Sequence, residues 1–323
     1  MEVLVIGAGS LGSLVGGLLA PDHDVTLVGR DPHVSTIRTA GLAIGGEIQT
    51  RVEPSATIPQ RVSASADLAI VTVKAGDTAD AAETLTECDV EAVWSLQNGL
   101  GNEATLAEAL DVPVLAGTAT YGADQSAPGS VTCTGIGEVA IGPRPETETP
   151  EADLALAEEY GEALSGADAA TTGGTDADAD AESPPGLDVL VDPAMPERLW
   201  RKLAVNVGIN PTTALARADN GALAEDEIAA TARTAARETA RVAQASGVDL
   251  DEADAAAELD AVVEATADNR SSMLQDVERG RRTEIDQLAG AVVDRAEEHE
   301  VSVPVARTLT ALVRAWERAN YLR

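Results

Sequence analysis

The chain has 323 residues, enough for about two domains that each bury a core. Its 55 acidic residues against 22 basic ones give a formal net charge of −33, which argues against nucleic acid and anionic membranes as partners and indicates a surface adapted to high salt, where screening relieves self-repulsion. Cys88 and Cys133 form no disulfide framework, and His23, His33 and His299 show no metal-ligand spacing; with no basic leader and no apolar run of about eighteen residues, a soluble, cytoplasmic, metal-free protein is expected.

Residues 2–6, EVLVI, form a β-branched run and predict a strand. Gly7-Ala8-Gly9-Ser10-Leu11-Gly12 follows, then a helical pattern through Leu19. Strand, GxGxxG, helix is the context in which this motif predicts dinucleotide binding. Gly7 allows the tight turn, Gly9 admits a pyrophosphate close to the backbone, and Gly12 lets the helix pack on the strand. Residues 24–28, DVTLV, predict the second strand, which runs out at Gly29-Arg30. An acidic residue there would hold a ribose hydroxyl, whereas arginine suits a 2′-phosphate and hence NADP; Asp31, directly after it, keeps the other reading open.

Asp67–Val73 is a continuous apolar run of the kind buried in a parallel sheet, with Lys74 at its carboxyl end. Ligands in open α/β sheets bind outside those ends. The strand Glu91–Leu96 runs into Gln97-Asn98-Gly99-Leu100-Gly101-Asn102, which places Asn98 on a glycine-rich turn before a helix over 102–110. Asparagine is also an ordinary turn residue. A strand over 112–117 leads into Thr118–Ala123, and 130–134 with 138–142 reads as a hairpin or edge pair. Residues 145–197 contain no lysine or arginine; 151–164 reads as a helix, 165–186 as a flexible acidic loop, and 188–191 as a returning strand.

The stretch Leu199–Pro211, LWRKLAVNVGINP, stands out in two ways. The chain has 20 arginines and two lysines, Lys74 and Lys202. A chain that meets its ordinary cation needs with arginine has a chemical reason to keep a lysine, since lysine gives up its proton when desolvated and arginine does not. Lys202, Asn206 and Asn210 also recur every fourth residue, on one face of a helix whose other positions are apolar. Buried polar groups of this kind need partners; a lysine reaching solvent beside two backbone-satisfied asparagines explains the spacing equally well. Beyond Pro211 the pattern is helical: 222–246, 251–268, 271–279, a helix opened by Thr283-Glu284-Ile285-Asp286 with Thr283 as N-cap, and a last helix from Pro304 carrying Trp316.

Five motifs together, GAGSLG at 7–12, VTVKA at 71–75, QNGLGN at 97–102, WRKLAVNVGINPTTAL at 200–215 and SSMLQDVERGRRTEID at 271–286, resemble the ketopantoate reductase family over almost the whole chain. The resemblance implies an α/β fold: a Rossmann-type dinucleotide-binding domain over 1–193, with the acidic loop as an insertion, then an all-helical domain over 194–323. The default ligand site is the cleft between them. It implies NADPH-dependent reduction of 2-dehydropantoate to pantoate, on the route to pantothenate and coenzyme A. It implies cofactor contacts from Gly7, Ala8, Gly9, Ser10, Leu11, Gly12, Arg30, Lys74, Asn98, Gly122 and Glu284. Lys202 becomes the proton donor, and Asn98, Asn206, Asn210, Asn220 and Ser272 the substrate-binding residues. Glu284, catalytic in this reading, orients Lys202 or a cofactor hydroxyl.

The residue types suit that chemistry independently, because an ammonium stabilises developing alkoxide charge and also donates the proton. From the residues alone, Glu284 is equally a first-turn helix carboxylate, Ser272 a helix cap and Asn220 a turn residue. The competing functions are a reductase of another branched 2-keto acid and a nicotinamide-binding sensor without turnover. Oligomeric state is not set by sequence, and a homodimer is the assembly entertained.

Overall fold

The computed structural model describes residues 1–62, 64–165, 186–224 and 226–323. These divide into two compact units, Met1–Gln97 with Asn102–Met195, and Pro196–Arg323 with Asn98–Gly101. The expected acidic loop lies outside the described residues except for Ser165 and Gly186.

In the first unit, eight strands form one sheet in the order Val189–Val191, Val139–Pro143, Val114–Ala119, Asp89–Ser95, Ser65–Val71, Glu2–Ile6, Asp24–Val28 and Ser55–Thr57. From Val114–Ala119 to Ser55–Thr57 the strands are parallel. Val139–Pro143 runs antiparallel to its neighbour, and Val189–Val191 follows its direction. From Glu2–Ile6 the chain moves to one side for Asp24–Val28 and later to the other for Ser65–Val71, so the order reverses at the central pair. The turns after Ile6 and Val71 therefore flank the topological switch point, where open α/β sheets bind ligands.

A second sheet, absent from the sequence expectation, has the order Thr50–Val52, Leu42–Gly46, Ser130–Gly135, Gly122–Ala127. It corrects the expected hairpin of 130–134 with 138–142. Ser130–Gly135 pairs with Gly122–Ala127 and Leu42–Gly46, whereas Val139–Pro143 joins the large sheet. The burial patterns give the reason. Val139–Pro143 is buried at every position, as a strand covered on both faces must be. Ser130–Gly135 is fully buried only at Val131 and Cys133, as a one-faced strand is. The helix Ser10–Leu19 is buried from Gly12 to Leu19 because it packs on both sheets. A side chain at Gly16 would meet Leu27 and Val5 of the large sheet, and one at Gly17 would meet Ile44 and Leu42 of the small one.

The second unit is helical. Met195–Ala216 is its buried centre and continues through Pro211. A proline inside a helix removes one backbone hydrogen bond and costs about 3 kcal/mol. The helices Asp226–Ala245 and Glu252–Ala265 pack through alanine, with Ala232, Ala235, Ala236, Ala240, Ala243 and Ala255 all at 0% exposure. A chain without phenylalanine thereby fills its core by close helix approach. Gly208 has the same role, since a side chain there would collide with Leu259 and lie 2.8 Å from the Ala232 carbonyl. The helices Ser272–Glu278, Ala291–Glu298 and Pro304–Ala319 complete the unit. Among the described residues, no helix is long and apolar enough to cross a membrane, and no group of three His, Cys, Asp or Glu could hold a metal ion.

Candidate active site

The glycine loop in the first unit is shaped by its own backbone. The N–H groups of Gly7 and Ala8 donate to the Val28 carbonyl at 2.9 and 2.8 Å, and the Gly9 N–H donates to the Gly7 carbonyl at 2.6 Å. The first helical turn begins at Ser10 with no side-chain cap. The N–H groups of Ser10, Leu11 and Gly12 therefore have no intrahelical acceptor and point their partial positive charge at the loop mouth. Gly12 lies so near the Gly7 carbonyl and Thr72 Oγ1 that a side chain would collide with both. Gly9 is different: a Cβ there would meet nothing nearer than the Gly7 carbonyl at 3.9 Å. Packing inside the protein does not demand that glycine, so the space beside it fits a phosphate group approaching the backbone. Ser10 Oγ accepts a hydrogen bond from the Gln125 N–H at 2.9 Å, which ties the loop to the second sheet.

Arg30 follows the Asp24–Val28 strand, is largely exposed and pairs with Asp77 at 3.6 Å. Asp31, the competing ribose-hydroxyl acceptor, is engaged elsewhere: its Oδ1 accepts the Ser35 N–H in the first turn of the next helix at 3.1 Å. Lys74 is exposed immediately beyond the Ser65–Val71 strand, slightly displaced from the expected register of 67–73.

Residues that the motifs did not single out hold this turn. Thr72 Oγ1 donates to the Gly7 carbonyl at 2.9 Å. Gln97, 3% exposed, donates from Nε2 to the Val73 carbonyl at 3.1 Å and to Thr78 Oγ1 at 2.7 Å. Gln97 opens QNGLGN, and a glutamine at the end of an apolar strand was the available signal. Gly122 begins a strand of the second sheet, and a side chain there would sit 2.5 Å from Thr134 Oγ1. That contact explains glycine at the position.

In the second unit, Lys202, Asn206 and Asn210 lie on one helix, Met195–Ala216. Lys202 and Asn206 are half-buried and Asn210 is 6% exposed. Although part of its surface is open, the Lys202 ammonium is closely surrounded by protein. Burial pulls its pKa from 10.5 down to about 8; the Glu284 carboxylate pulls it upward, and Arg198, one turn earlier, pushes it downward. The outer side of the same helix is served by arginine, with Arg201 bridging Glu197 and Glu258 at 2.5 and 3.2 Å. Arginine thus supplies the ordinary ion pairs, and the lysine is reserved for the desolvated position.

Glu284 is half-buried just before a π turn, Asp286–Gly290, a distortion that recurs at functional sites. Thr283 is not the N-cap that the sequence predicts: Ile285 holds that position with no side-chain cap, and Thr283 Oγ1 accepts the Ile285 N–H at 3.3 Å ahead of the turn. Asn220 is 7% exposed and donates from Nδ2 to Thr266 Oγ1 at 3.0 Å, while its Oδ1 is buried without a partner. Ser272 does not cap its helix. The neighbouring Ser271 does so, accepting the Leu274 N–H at 3.1 Å and bonding Thr213 Oγ1 at 2.7 Å, so Ser272 stays exposed. Asn98 belongs to the short segment of this unit, Asn98–Gly101, and is half-buried. The structure thus gathers Lys202, Asn206, Asn210, Asn220, Ser272, Glu284 and Asn98 in one unit, and the glycine loop, Arg30, Lys74 and Gly122 in the other.

A family model described as ketopantoate reductase PanE/ApbA matches residues 3–146, and its C-terminal counterpart matches 194–317. A 2-dehydropantoate 2-reductase from Halobacterium salinarum is 42% identical, covering 98% of this chain and 99% of its own. One from Archaeoglobus fulgidus is 37% identical with 98% of both covered. Among solved structures, a PanE/ApbA family ketopantoate reductase from Ralstonia eutropha JMP134 superposes with a TM-score of 0.82 at 31% identity, over 99% of this chain and all of that one. A D-mandelate dehydrogenase complexed with NADH and anilino(oxo)acetate shares the fold, with a TM-score of 0.85 at 23% identity over the full length of both chains.

Proposed function

The chain belongs to the ketopantoate reductase family, and from that premise we propose that it reduces 2-dehydropantoate to pantoate with NADPH, with Lys202 as the proton donor. The observation that carries the reading is the Lys202 ammonium, desolvated to a pKa of about 8 on the helix face that also holds Asn206 and Asn210. Few structural roles reward a lysine kept there, whereas an acid that must stay protonated near neutrality and then release its proton needs such a place.

The first unit fits a nicotinamide dinucleotide. The N–H groups of Ser10, Leu11 and Gly12 would face the pyrophosphate, with Gly7, Ala8 and Gly9 shaping the loop. Arg30 would hold the 2′-phosphate, and Lys74, Asn98, Gly122 and Glu284 would supply the other contacts. The engagement of Asp31 with the Ser35 N–H supports NADPH over NADH. When bound, the cofactor supplies the hydride to the ketone carbon. Lys202 stabilises the charge that develops on the ketone oxygen and delivers its proton there. The Glu284 carboxylate favours the charged ammonium before transfer. Asn206, Asn210, Asn220 and Ser272 bind the carboxylate and hydroxyl of the substrate without adding a fixed charge, and the unpartnered Asn220 Oδ1 suits a hydroxyl donor. A cytoplasmic homodimer is part of the same proposal, to be read by light scattering in solution.

Steady-state kinetics with ketopantoate and ketoisovalerate, each with NADPH and NADH at high salt, test the reading. Ketopantoate with NADPH should give the highest kcat/KM. A clear preference for ketoisovalerate, or NADPH binding without turnover of either keto acid, would overturn it. Arg30→Ala should weaken NADPH by about tenfold or more and NADH much less, the loss of one charge-assisted phosphate contact; equal losses refute the role of Arg30.

A further inference from the structure

The segment that carries Glu284 is fastened to the last helix, Pro304–Ala319. Glu317 on that helix is 0% exposed. Its Oε1 accepts two hydrogen bonds from Thr283, the backbone N–H at 2.8 Å and the hydroxyl at 2.7 Å. Its Oε2 accepts from Arg323 Nε at 3.3 Å. Polar atoms this deep need hydrogen-bond partners, and the main partner of Glu317 is the residue next to Glu284.

The other flank is fastened in the same way. Asp286 accepts from Arg314 Nε at 2.8 Å and also bonds Arg323. Burial alone raises its pKa, but Arg323 and Arg314 together hold it below the usual carboxylate range. Beyond Glu284 the Gly290 N–H reaches back to the Ile285 carbonyl at 2.8 Å, closing the π turn. Glu284 thus sits on a short bridge fixed at 283 by the buried Glu317 and at 286 by part-buried ion pairs.

We propose that Glu317 is a positioning residue for the reduction: through its double bond to Thr283 it fixes the backbone carrying Glu284 and so holds the Glu284 carboxylate toward the Lys202 ammonium. This rests on the reading of Lys202 as proton donor, but its test does not depend on turnover. A network that serves stability alone would leave the titration of Lys202 unchanged in a folded variant.

The chain has only two lysines, so amine labelling across a pH series, read by peptide mass spectrometry, follows Lys202 and Lys74 separately. Glu284 and Arg198 are the charged groups acting on Lys202, and Arg198 lies on the helix of Lys202 itself and is untouched by the variants. In Glu317→Gln and Thr283→Val the half-labelling pH of Lys202 should fall by about half a unit or more, as expected when a carboxylate retreats from an ammonium, with Lys74 unchanged. Thr283→Val removes no charge, so a fall there reports geometry and not the direct field of Glu317. Thr283→Ser, which keeps the hydroxyl, should restore the wild-type value. In parallel, kcat/KM should drop by about tenfold in the first two variants. If folded Thr283→Val titrates like wild type, the proposal fails, whatever Glu317→Gln does. If Glu317→Gln does not fold, the threonine pair decides. A wild-type enzyme inactive on ketopantoate would refute the proposed substrate while leaving the labelling result to decide the tether.

Discussion

Replacing Lys202 by arginine or by methionine separates its chemical role from its structural cost. Burial moves the ammonium from 10.5 to about 8, and at about 1.4 kcal/mol per pH unit the difference is worth about 3 kcal/mol. That free energy makes Lys202 a stronger acid, and arginine cannot reproduce it because its proton is not released in proteins. Lys202→Arg should lower kcat/KM for ketopantoate by about 10³, within the range of general acid catalysis, and leave NADPH affinity nearly unchanged. In the wild type, kcat/KM should be flat below pH about 8 and then fall about tenfold per unit as the ammonium deprotonates.

The stability effect has the opposite sense. The folded pKa lies below the unfolded one, so between about 8 and 10.5 the unfolded chain binds more protons and stability rises with pH. Below that window the buried charge is a standing cost. Lys202→Met should therefore stabilise the fold at neutral pH by about 1–3 kcal/mol, discounted for partial solvent access, while abolishing turnover. The assays are nicotinamide absorbance over a pH series and thermal melts at neutral and alkaline pH. An arginine variant with more than about a tenth of wild-type kcat/KM, or a methionine variant less stable than wild type, would refute the assignment of Lys202 as a desolvated acid.

Two further outcomes are expected. Gly9→Ala, with its nearest contact at 3.9 Å, should melt within a degree or two of wild type yet lose NADPH affinity about tenfold or more, whereas Gly12→Ala, which collides with the Gly7 carbonyl and Thr72, should cost about 1–3 kcal/mol of stability; matching melting losses in both would remove the argument for a phosphate beside Gly9. At a net charge of −33, the melting temperature should climb as potassium chloride rises from about 0.1 to about 1 M and the Debye length shrinks from about 10 to about 3 Å; a flat or falling response would contradict the salt-adapted surface.

The sequence was most legible where local chemistry and tertiary placement demand the same residues. Strands 2–6 and 24–28 appear at their expected bounds because a β-branched run ending in a glycine turn has little other use. The four-residue spacing of Lys202, Asn206 and Asn210 likewise required a helix before any fold was known. The second sheet was invisible because its strands are short and half-exposed, as in Thr50–Val52 and Gly122–Ala127, and lack a strong alternation. The assignment of 130–134 failed because proximity in sequence favoured a hairpin, whereas the nonlocal partner Leu42–Gly46 buries Val131 and Cys133.

The same reasoning explains which site residues the sequence could not rank. Ser271 and Ser272 are adjacent and chemically identical, and only the packing of Thr213 against Ser271 decides that one caps and the other stays open. Glu317 lies 33 residues beyond Glu284 on the last helix, and its buried bond to Thr283 exists only in three dimensions. A sequence shows the groups that perform a reaction because their chemistry restricts residue type. The groups that hold them in place are restricted by geometry, and several residue types satisfy geometry. Here the distinction has a physical consequence. Lys202 gains acidity by losing water, and the carboxylate beside it limits that gain so that the ammonium stays charged until it gives up its proton. Anchoring the segments on both sides of Glu284, through the buried Glu317 on one side and the part-buried Asp286–Arg314 ion pair on the other, is one way to hold that position in a core built largely of small aliphatic side chains.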